Sequence, residues 1–168
     1  TGKFFAFEHY GIKPDIITMA KALGNGFPIG ATICNKKVTD AIAFGDHGTT
    51  FGGNPLACAT ALSVLKVINK KNLVKRSFSF GNEILVFIKK KAEKYTIIKD
   101  VRGKGLMIGI ELSVKGRPIV EKMIQKGILG NVTAENVIRF VPPLNINKSA
   151  MYKVVDVFFN VLDELEKK

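Results

Sequence analysis

Apolar residues recur at helical spacing in three long segments of the chain. The first begins at Asn54, which can cap a helix, and continues with a proline that fits the first helical turn and apolar residues every three or four positions. This pattern predicts a helix over residues 54–70. A second helix is predicted over 73–94, and a closing amphipathic helix over 148–165.

Shorter apolar runs predict strands and minor helices between these long helices. Segment 15–19 predicts a short buried strand and 30–34 another, while two prolines end a strand predicted over 137–141. The other predicted elements are extended segments at 95–98 and 106–112 and helices at 37–43 and 118–126. The mixture predicts an α/β chain, with residues 1–70 forming part of a sheet domain and residues 71–168 a smaller α+β domain.

The charge balance first suggests a nucleic-acid partner, since 26 Lys and Arg against 14 acidic residues give a net charge of +12. Only four of these basic residues are arginines, however, and many lysines fall along predicted helices. Solvated helix faces explain them without a nucleic acid, and no recognition helix or RNA-binding signature accompanies them. We therefore expect no nucleic-acid partner.

The cysteines and the apolar runs bear on the compartment. Cys34 and Cys58 lie among apolar residues without metal-ligand spacing, so we expect two small buried hydrophobic residues in the reducing cytoplasm. His9 and His47 also lack a partner at metal-ligand spacing, so no metal is predicted. The longest apolar runs are too short to span a bilayer, so we expect no membrane association.

Lys21 is the first candidate for chemistry. It leaves the apolar run 15–19 and enters the glycine-rich loop 24–30, at the end of a strand where open α/β sheets place their ligand sites. A lysine shielded there is disfavoured in its charged form and can attack an aldehyde as a neutral amine, as Schiff-base lysines do. On the residues alone, an ordinary solvated lysine remains an alternative.

Thr49 and Thr50 are candidates for an anion site, because they precede the helix predicted at Asn54. Unpaired backbone N–H groups and the helix dipole at such a start favour a phosphate. Local turn and capping hydrogen bonds are the more usual role of such threonines, and spacing alone favours that alternative.

Arg139 is a candidate for carboxylate binding, since a planar guanidinium can grip a carboxylate with two parallel hydrogen bonds. It lies on the short strand that the prolines end. An internal salt bridge is an equally good interpretation of the residues alone. The glycine-rich stretch 103–109 looks like a dinucleotide loop, but its glycine spacing does not fit one and a strand rather than a helix is predicted after it. Arg102, just before this stretch, and Lys104 within it are predicted to serve turn geometry and surface charge.

Several of these segments, in this order, resemble the class III aminotransferases, which use pyridoxal phosphate on the type I fold. The resemblance rests on the cofactor-lysine segment and phosphate-contacting loop, and on three further stretches; the segments are 14–30, 45–58, 8–11, 101–106 and 137–144. It implies a partial large sheet domain in residues 1–70 and the small C-terminal α+β domain in 71–168.

The resemblance also implies roles for the candidates. Lys21 would hold the cofactor and act as the general acid and base, and Thr50 would contact the cofactor phosphate. Thr49 would contact the substrate, and Arg139 would bind the carboxylate of 2-oxoglutarate or glutamate. Because both threonines match residues that reach into the partner's site, a homodimer with interfacial active sites is implied.

Three segments narrow the expected substrate. Stretches 5–11, 26–30 and 106–112 are most similar to family members that transfer the terminal amine of N2-acetylornithine to 2-oxoglutarate in arginine biosynthesis. Ornithine and succinyldiaminopimelate are the competing substrates.

The chain departs from the family pattern in its extent. It begins with Thr1 rather than methionine, and we expect it to be the C-terminal portion of a longer protein. The family's acidic partner of the pyridine nitrogen, its glycine-threonine phosphate loop and its aromatic stacking residue have no counterpart here. We therefore expect this portion alone to be inactive or nearly so, and a non-catalytic remnant serving in dimerisation or binding is the alternative.

Overall fold

A computed structural model describes residues 1–166 and divides the chain into two compact units. The first unit is Phe5–Asn72. The second joins Thr1–Phe4 to the described residues from Leu73 onward. No helix among residues 1–166 is both long enough and apolar enough to cross a membrane.

The first unit contains two strands, two α-helices and two short 3₁₀ helices, Ala6–Tyr10 and Lys21–Leu23. Strands β1 (Ile16–Ala20) and β2 (Gly30–Cys34) pair antiparallel, with Ile16 opposite Cys34 and Ala20 opposite Gly30. Helices α1 (Lys36–Thr39) and α2 (Pro55–Lys70) follow. The side chain of Asn54 accepts hydrogen bonds from the first-turn amides of α2, which is the predicted cap.

The predicted burial of β1 is wrong. The strand forms, but Ile16 is 52% exposed, and the described part of this unit buries only Gly24, Ala57 and Ala61. Two strands offer too little surface to cover their own apolar side chains, and an isolated hairpin is at best marginally stable in water. Helix α1 is also shorter than predicted, because 3₁₀-type hydrogen bonds replace the α-helical pattern from Ala41 onward.

The second unit packs three helices against one face of a four-stranded antiparallel sheet. Its elements are α3 (Leu73–Ala92), β3 (Ile98–Lys104), β4 (Met107–Leu112), α4 (Arg117–Gln125), β5 (Asn131–Thr133), β6 (Val137–Phe140) and α5 (Lys148–Glu166). The strand order is β3-β4-β6-β5. The core joins alternate strand residues to the apolar sides of the helices, and includes Ile84, Ile88, Ile108, Ile110, Met123, Ile138, Phe158 and Leu162.

Two predictions in this unit are corrected. The stretch predicted as a turn around Arg102 and Lys104 lies on β3, and the turn falls instead at Gly105, whose φ of 55° is left-handed. Of the extended segment predicted at 95–98, only Ile98 belongs to a strand, because β3 begins there. Strand β5 was not predicted, because its three residues carry no usable alternation and depend on pairing with β6.

Candidate active site

Lys21 has a strained backbone at the end of β1. It opens a short 3₁₀ turn, Lys21–Leu23, with φ of 52° in the left-handed region. A residue with a side chain in this region costs on the order of 1 kcal/mol or more, and such strain is concentrated at functional sites. The strain therefore supports a functional role for Lys21, the lysine that the sequence singles out.

The loop after Lys21 is held by close backbone packing. Gly24 is buried, and a Cβ there would lie 2.1 Å from the carbonyl oxygen of Phe27, so only glycine fits. Backbone hydrogen bonds from Gly24 to Lys21 and from Phe27 to Gly24, each 3.0 Å, close two successive turns. The loop therefore fixes the direction in which the chain leaves Lys21.

The predicted shielding of Lys21 is not found, because its side chain is exposed. The described residues of its unit bury almost no side chains, so they cannot exclude water from the amine. Shielding of this lysine would have to come from atoms outside its own unit.

Thr49 and Thr50 are exposed in the loop before α2. The helix cap is supplied by Asn54, whose Oδ1 accepts from the amides of Leu56 at 3.0 Å and Ala57 at 3.1 Å. Neither threonine hydroxyl makes a hydrogen bond with another residue that the structure describes. The local capping role that the sequence favoured is thus filled by another residue, and both hydroxyls are available to a ligand.

Arg139 lies on the face of the four-stranded sheet that is turned away from the helices. Its neighbours Ile138 and Phe140 are buried in the core, so alternation places Arg139 on this outer face. The Nε atom is buried and lacks a hydrogen-bond partner, and no ion pair of Arg139 is found within residues 1–166. The internal salt bridge that was the alternative is therefore absent from the described chain.

The sequence reasoning missed the neighbours of Arg139 on the outer face. Arg139 pairs with Asn131 on one side and Gly109 on the other, and Gly109 pairs with Arg102. Arg102 Nη1 donates to Asp100 at 2.7 Å and to Glu111 at 2.8 Å. These hydrogen bonds, first that to Asp100 and then that to Glu111, raise the pKa of Arg102 above its usual value. Only the strand register reveals this grouping, since the residues are scattered in sequence.

The cysteines differ from their prediction as buried residues. Cys34 is half-buried and Cys58 is exposed, and both are free. Cys58 falls on the solvent side of α2, where helical periodicity places it away from Ala57 and Ala61. Within residues 1–166 no group of three or more His, Cys, Asp or Glu side chains could hold a metal ion.

The comparisons with known proteins identify the class. Residues 1–162 match the family described as aminotransferase class-III, and the chain belongs to this family. It has the mixed α/β architecture of the pyridoxal-phosphate-dependent type I fold, here with a partial sheet.

The similar proteins include acetylornithine aminotransferases and ornithine aminotransferases. The chain is 48% identical over 165 residues to the acetylornithine aminotransferase of Methanocaldococcus jannaschii, covering 98% of this chain and 40% of the relative. It is 42% identical over 165 residues to ornithine aminotransferase 1 of Staphylococcus saprophyticus, covering 98% and 41%. The chain thus spans about two fifths of the length of these relatives.

A solved structure provides the cofactor context. The ornithine aminotransferase from Toxoplasma gondii has a TM-score of 0.91 at 34% identity, covers 100% of this chain and is itself covered to 42%. That protein was found with partial occupancy of PLP at its active site. Class III aminotransferases in general depend on this cofactor.

The residues of this chain fit part of such a cofactor. Lys21 supplies the accessible primary amine that covalent attachment to an aldehyde requires, and its backbone is held in the left-handed region. Thr50 supplies an unoccupied hydroxyl in the loop that precedes the α2 N-terminus, where an anion is favoured. These residues alone do not enclose the group.

Proposed function

We propose that this chain is the cofactor-lysine portion of a pyridoxal-phosphate aminotransferase that moves the terminal amino group of N2-acetylornithine to 2-oxoglutarate. The products would be N-acetylglutamate 5-semialdehyde and glutamate, within arginine biosynthesis in the cytoplasm. The observation that carries the proposal is Lys21, whose left-handed backbone and accessible amine occur at the end of β1 inside a class III family match.

Lys21 would serve as both anchor and proton carrier. Its Nζ would hold the cofactor as a covalently attached amine and, once the substrate amine has taken that place, would carry a proton to and from the substrate's amine-bearing carbon. Pyridoxal phosphate, when bound, supplies an electron sink that accepts the negative charge left on that carbon. The rigid turn at Gly24 would keep the lysine backbone in place while its side chain moves.

Thr50, Thr49 and Arg139 would position the other parts of the reaction. The Thr50 hydroxyl would donate to the cofactor phosphate, and that of Thr49 would contact the substrate. Arg139 would grip a substrate carboxylate, and its unpartnered Nε supports this, because a buried donor without an acceptor is costly unless a ligand satisfies it.

The complete protein would be a homodimer with an active site at the subunit interface, where the threonines reach the partner's cofactor. The first unit would be the C-terminal part of the large cofactor-binding domain, and the second would be the small α+β domain. The portion alone would be inactive or nearly so, since the described residues of the first unit do not shield Lys21.

Ornithine is the second candidate substrate, supported by the 42% identity to an ornithine aminotransferase. Succinyldiaminopimelate is the third. A non-catalytic role in dimerisation or binding is the non-enzymatic alternative. The small number of buried residues in the first unit supports it, because this portion by itself offers little enclosure for an enzymatic site.

The test uses the protein purified from its source. Glutamate formation from 2-oxoglutarate is measured with N2-acetylornithine, ornithine and succinyldiaminopimelate at equal concentrations. The proposal expects the largest kcat/KM for N2-acetylornithine and none for a Lys21→Ala variant. A higher kcat/KM for ornithine would reassign the substrate, and no glutamate from any donor would overturn the aminotransferase function.

A further inference from the structure

The loop that follows Lys21 contains an asparagine directly before a glycine. Asn25 precedes Gly26, and this Asn-Gly step occurs once in the 168 residues. Asparagine is a chemically labile residue, because the backbone nitrogen of the next residue can attack its side-chain carbonyl carbon. A glycine in the next position puts no side chain in the way of that attack. The sequence therefore supplies the reactive pair once, in the loop that leads away from Lys21.

The structure places this pair in an open turn. Asn25 has φ of 46° and Gly26 has φ of 110°, and both residues are exposed. A Cβ built on Gly26 would meet no atom of the described chain within 4 Å, its immediate neighbours aside. The turn of this chain thus leaves room around the Gly26 nitrogen for the side chain of Asn25 and for water.

The hydrogen bonds of the turn lie on either side of the reactive peptide bond. The backbone N–H of Asn25 donates to the Ala22 carbonyl at 3.2 Å, and that of Phe27 donates to the Gly24 carbonyl at 3.0 Å. Neither hydrogen bond uses the N–H of Gly26. The turn therefore holds the reactive pair in place without engaging the nitrogen that attacks.

Other asparagines are restrained by contacts that the structure shows. The side chain of Asn35 caps α1. Asn54 caps α2 and precedes Pro55, which has no backbone N–H with which to attack. The Nδ2 of Asn136 donates to the Leu112 carbonyl at 2.8 Å. These contacts oppose the rotation that brings the side chain to the next nitrogen, so Asn25 should react before these three.

We propose that Asn25 and Gly26 form a self-modification site, at which this chain converts Asn25 to isoaspartate and aspartate without an enzyme. The Gly26 nitrogen forms a bond to Cγ of Asn25 and loses its proton to solvent. The bond from Cγ to Nδ2 breaks, and Nδ2 takes up a proton and leaves as ammonia. Water then opens the cyclic imide, giving aspartate by addition at Cγ and isoaspartate by addition at the backbone carbonyl carbon of Asn25.

The modification changes both the charge and the backbone of the turn. Either product carries a carboxylate where Asn25 carries a neutral amide, and isoaspartate also adds a CH₂ group to the backbone. The hydrogen bond from Phe27 to Gly24 spans this position, so the longer backbone alters the turn that fixes how the chain leaves Lys21. The site itself does not depend on the proposed function.

The experiment incubates the full 168-residue chain in mildly alkaline buffer without denaturant and follows each asparagine by peptide mapping. The readouts are the mass change from replacement of NH by oxygen, and enzymatic methylation of the isoaspartate carboxyl group. Asn25→Gln is the matched control, because it keeps a neutral amide at this position but must close a larger ring. A synthetic peptide of residues 21–30 gives the rate in an unfolded chain.

The proposal expects modification at Asn25 before any other asparagine, with both products formed, and its loss in Asn25→Gln. The rate in the chain should lie within about tenfold of the peptide's, equivalent to less than about 1.4 kcal/mol of added barrier. A slower rate in the chain would show that the fold resists the attack and would overturn the proposal. Equal modification at Asn35 or Asn136 would overturn it as well.

Discussion

Replacing Gly81 by alanine has two opposing effects on stability: alanine favours the helix, but its Cβ would clash with a neighbouring turn. Gly81 lies inside helix α3, where alanine is favoured over glycine by about 1 kcal/mol. The structure predicts the opposite sign. A Cβ at position 81 would lie 2.1 Å from the carbonyl carbon of Gly105 and 2.2 Å from its oxygen, both backbone atoms of the turn between β3 and β4.

The magnitude follows from how far the atoms must move. Ordinary carbon contacts are about 3.5–4.0 Å, so the helix and the turn would have to separate by more than about 1 Å. Overpacking of this kind costs about 1–3 kcal/mol, occasionally more, and backbone atoms cannot rotate away as a side chain can. Because the contacted atoms are backbone, we take the upper part of this range, about 2–3 kcal/mol, and subtracting about 1 kcal/mol for the helix preference leaves a net loss of about 1–2 kcal/mol.

Thermal unfolding followed by circular dichroism tests this prediction. A loss of about 1 kcal/mol lowers Tm by roughly 4–8 °C for a unit of this size. Gly48→Ala is the control, because nothing lies within 4 Å of a Cβ built there. A Gly81→Ala chain that melts at or above the native temperature would refute the close packing of α3 on the turn.

Three further substitutions test the packing, a loop contact and an ion pair. Arg76→Lys should lower the urea midpoint, losing about 1–3 kcal/mol, because lysine cannot reproduce the fork that donates to two backbone carbonyls of the loop after β6; an unchanged midpoint would contradict this. Ile110→Ala should lose about 2–5 kcal/mol from the core, whereas Ile16→Ala, half exposed, should lose under about 0.5 kcal/mol; equal losses would refute the core assignment. The hydrogen bond from Lys148 lowers the pKa of Glu83 below its ordinary value of 4.5, so Glu83 contributes stability above that pH and loses it as the pH falls through the folded-state pKa. Glu83→Gln should therefore flatten the loss of stability below about pH 4.5, and an unaltered acid limb in pH-dependent melts would contradict the ion pair.

The sequence predicted what depends on neighbouring residues. The start of α2 was found because Asn54 and Pro55 act within one turn, and the long helices because apolar spacing repeats along each. Strands β3 and β5 were missed, since their residues are outward-facing or few and are fixed by pairing partners distant in sequence.

The candidate site shows the same division. Lys21, Thr49, Thr50 and Arg139 could be chosen from residue type and motif, although their roles stay predictions. The sequence could not predict the left-handed backbone of Lys21, nor the absence of an ion pair at Arg139 in the described chain. Each depends on the folded geometry. Likewise, the ion pair between Arg102 and Glu111 could not be predicted, because it depends on the pairing of β3 with β4.

Attachment of the cofactor to Lys21 is tested most directly by borohydride reduction of the protein purified from its source, followed by intact mass and peptide mapping. Reduction fixes a pyridoxyl group on whichever amine held the aldehyde. The account predicts one pyridoxyl group, on the peptide that carries Lys21. An unmodified Lys21, or a label spread over other lysines, would contradict it.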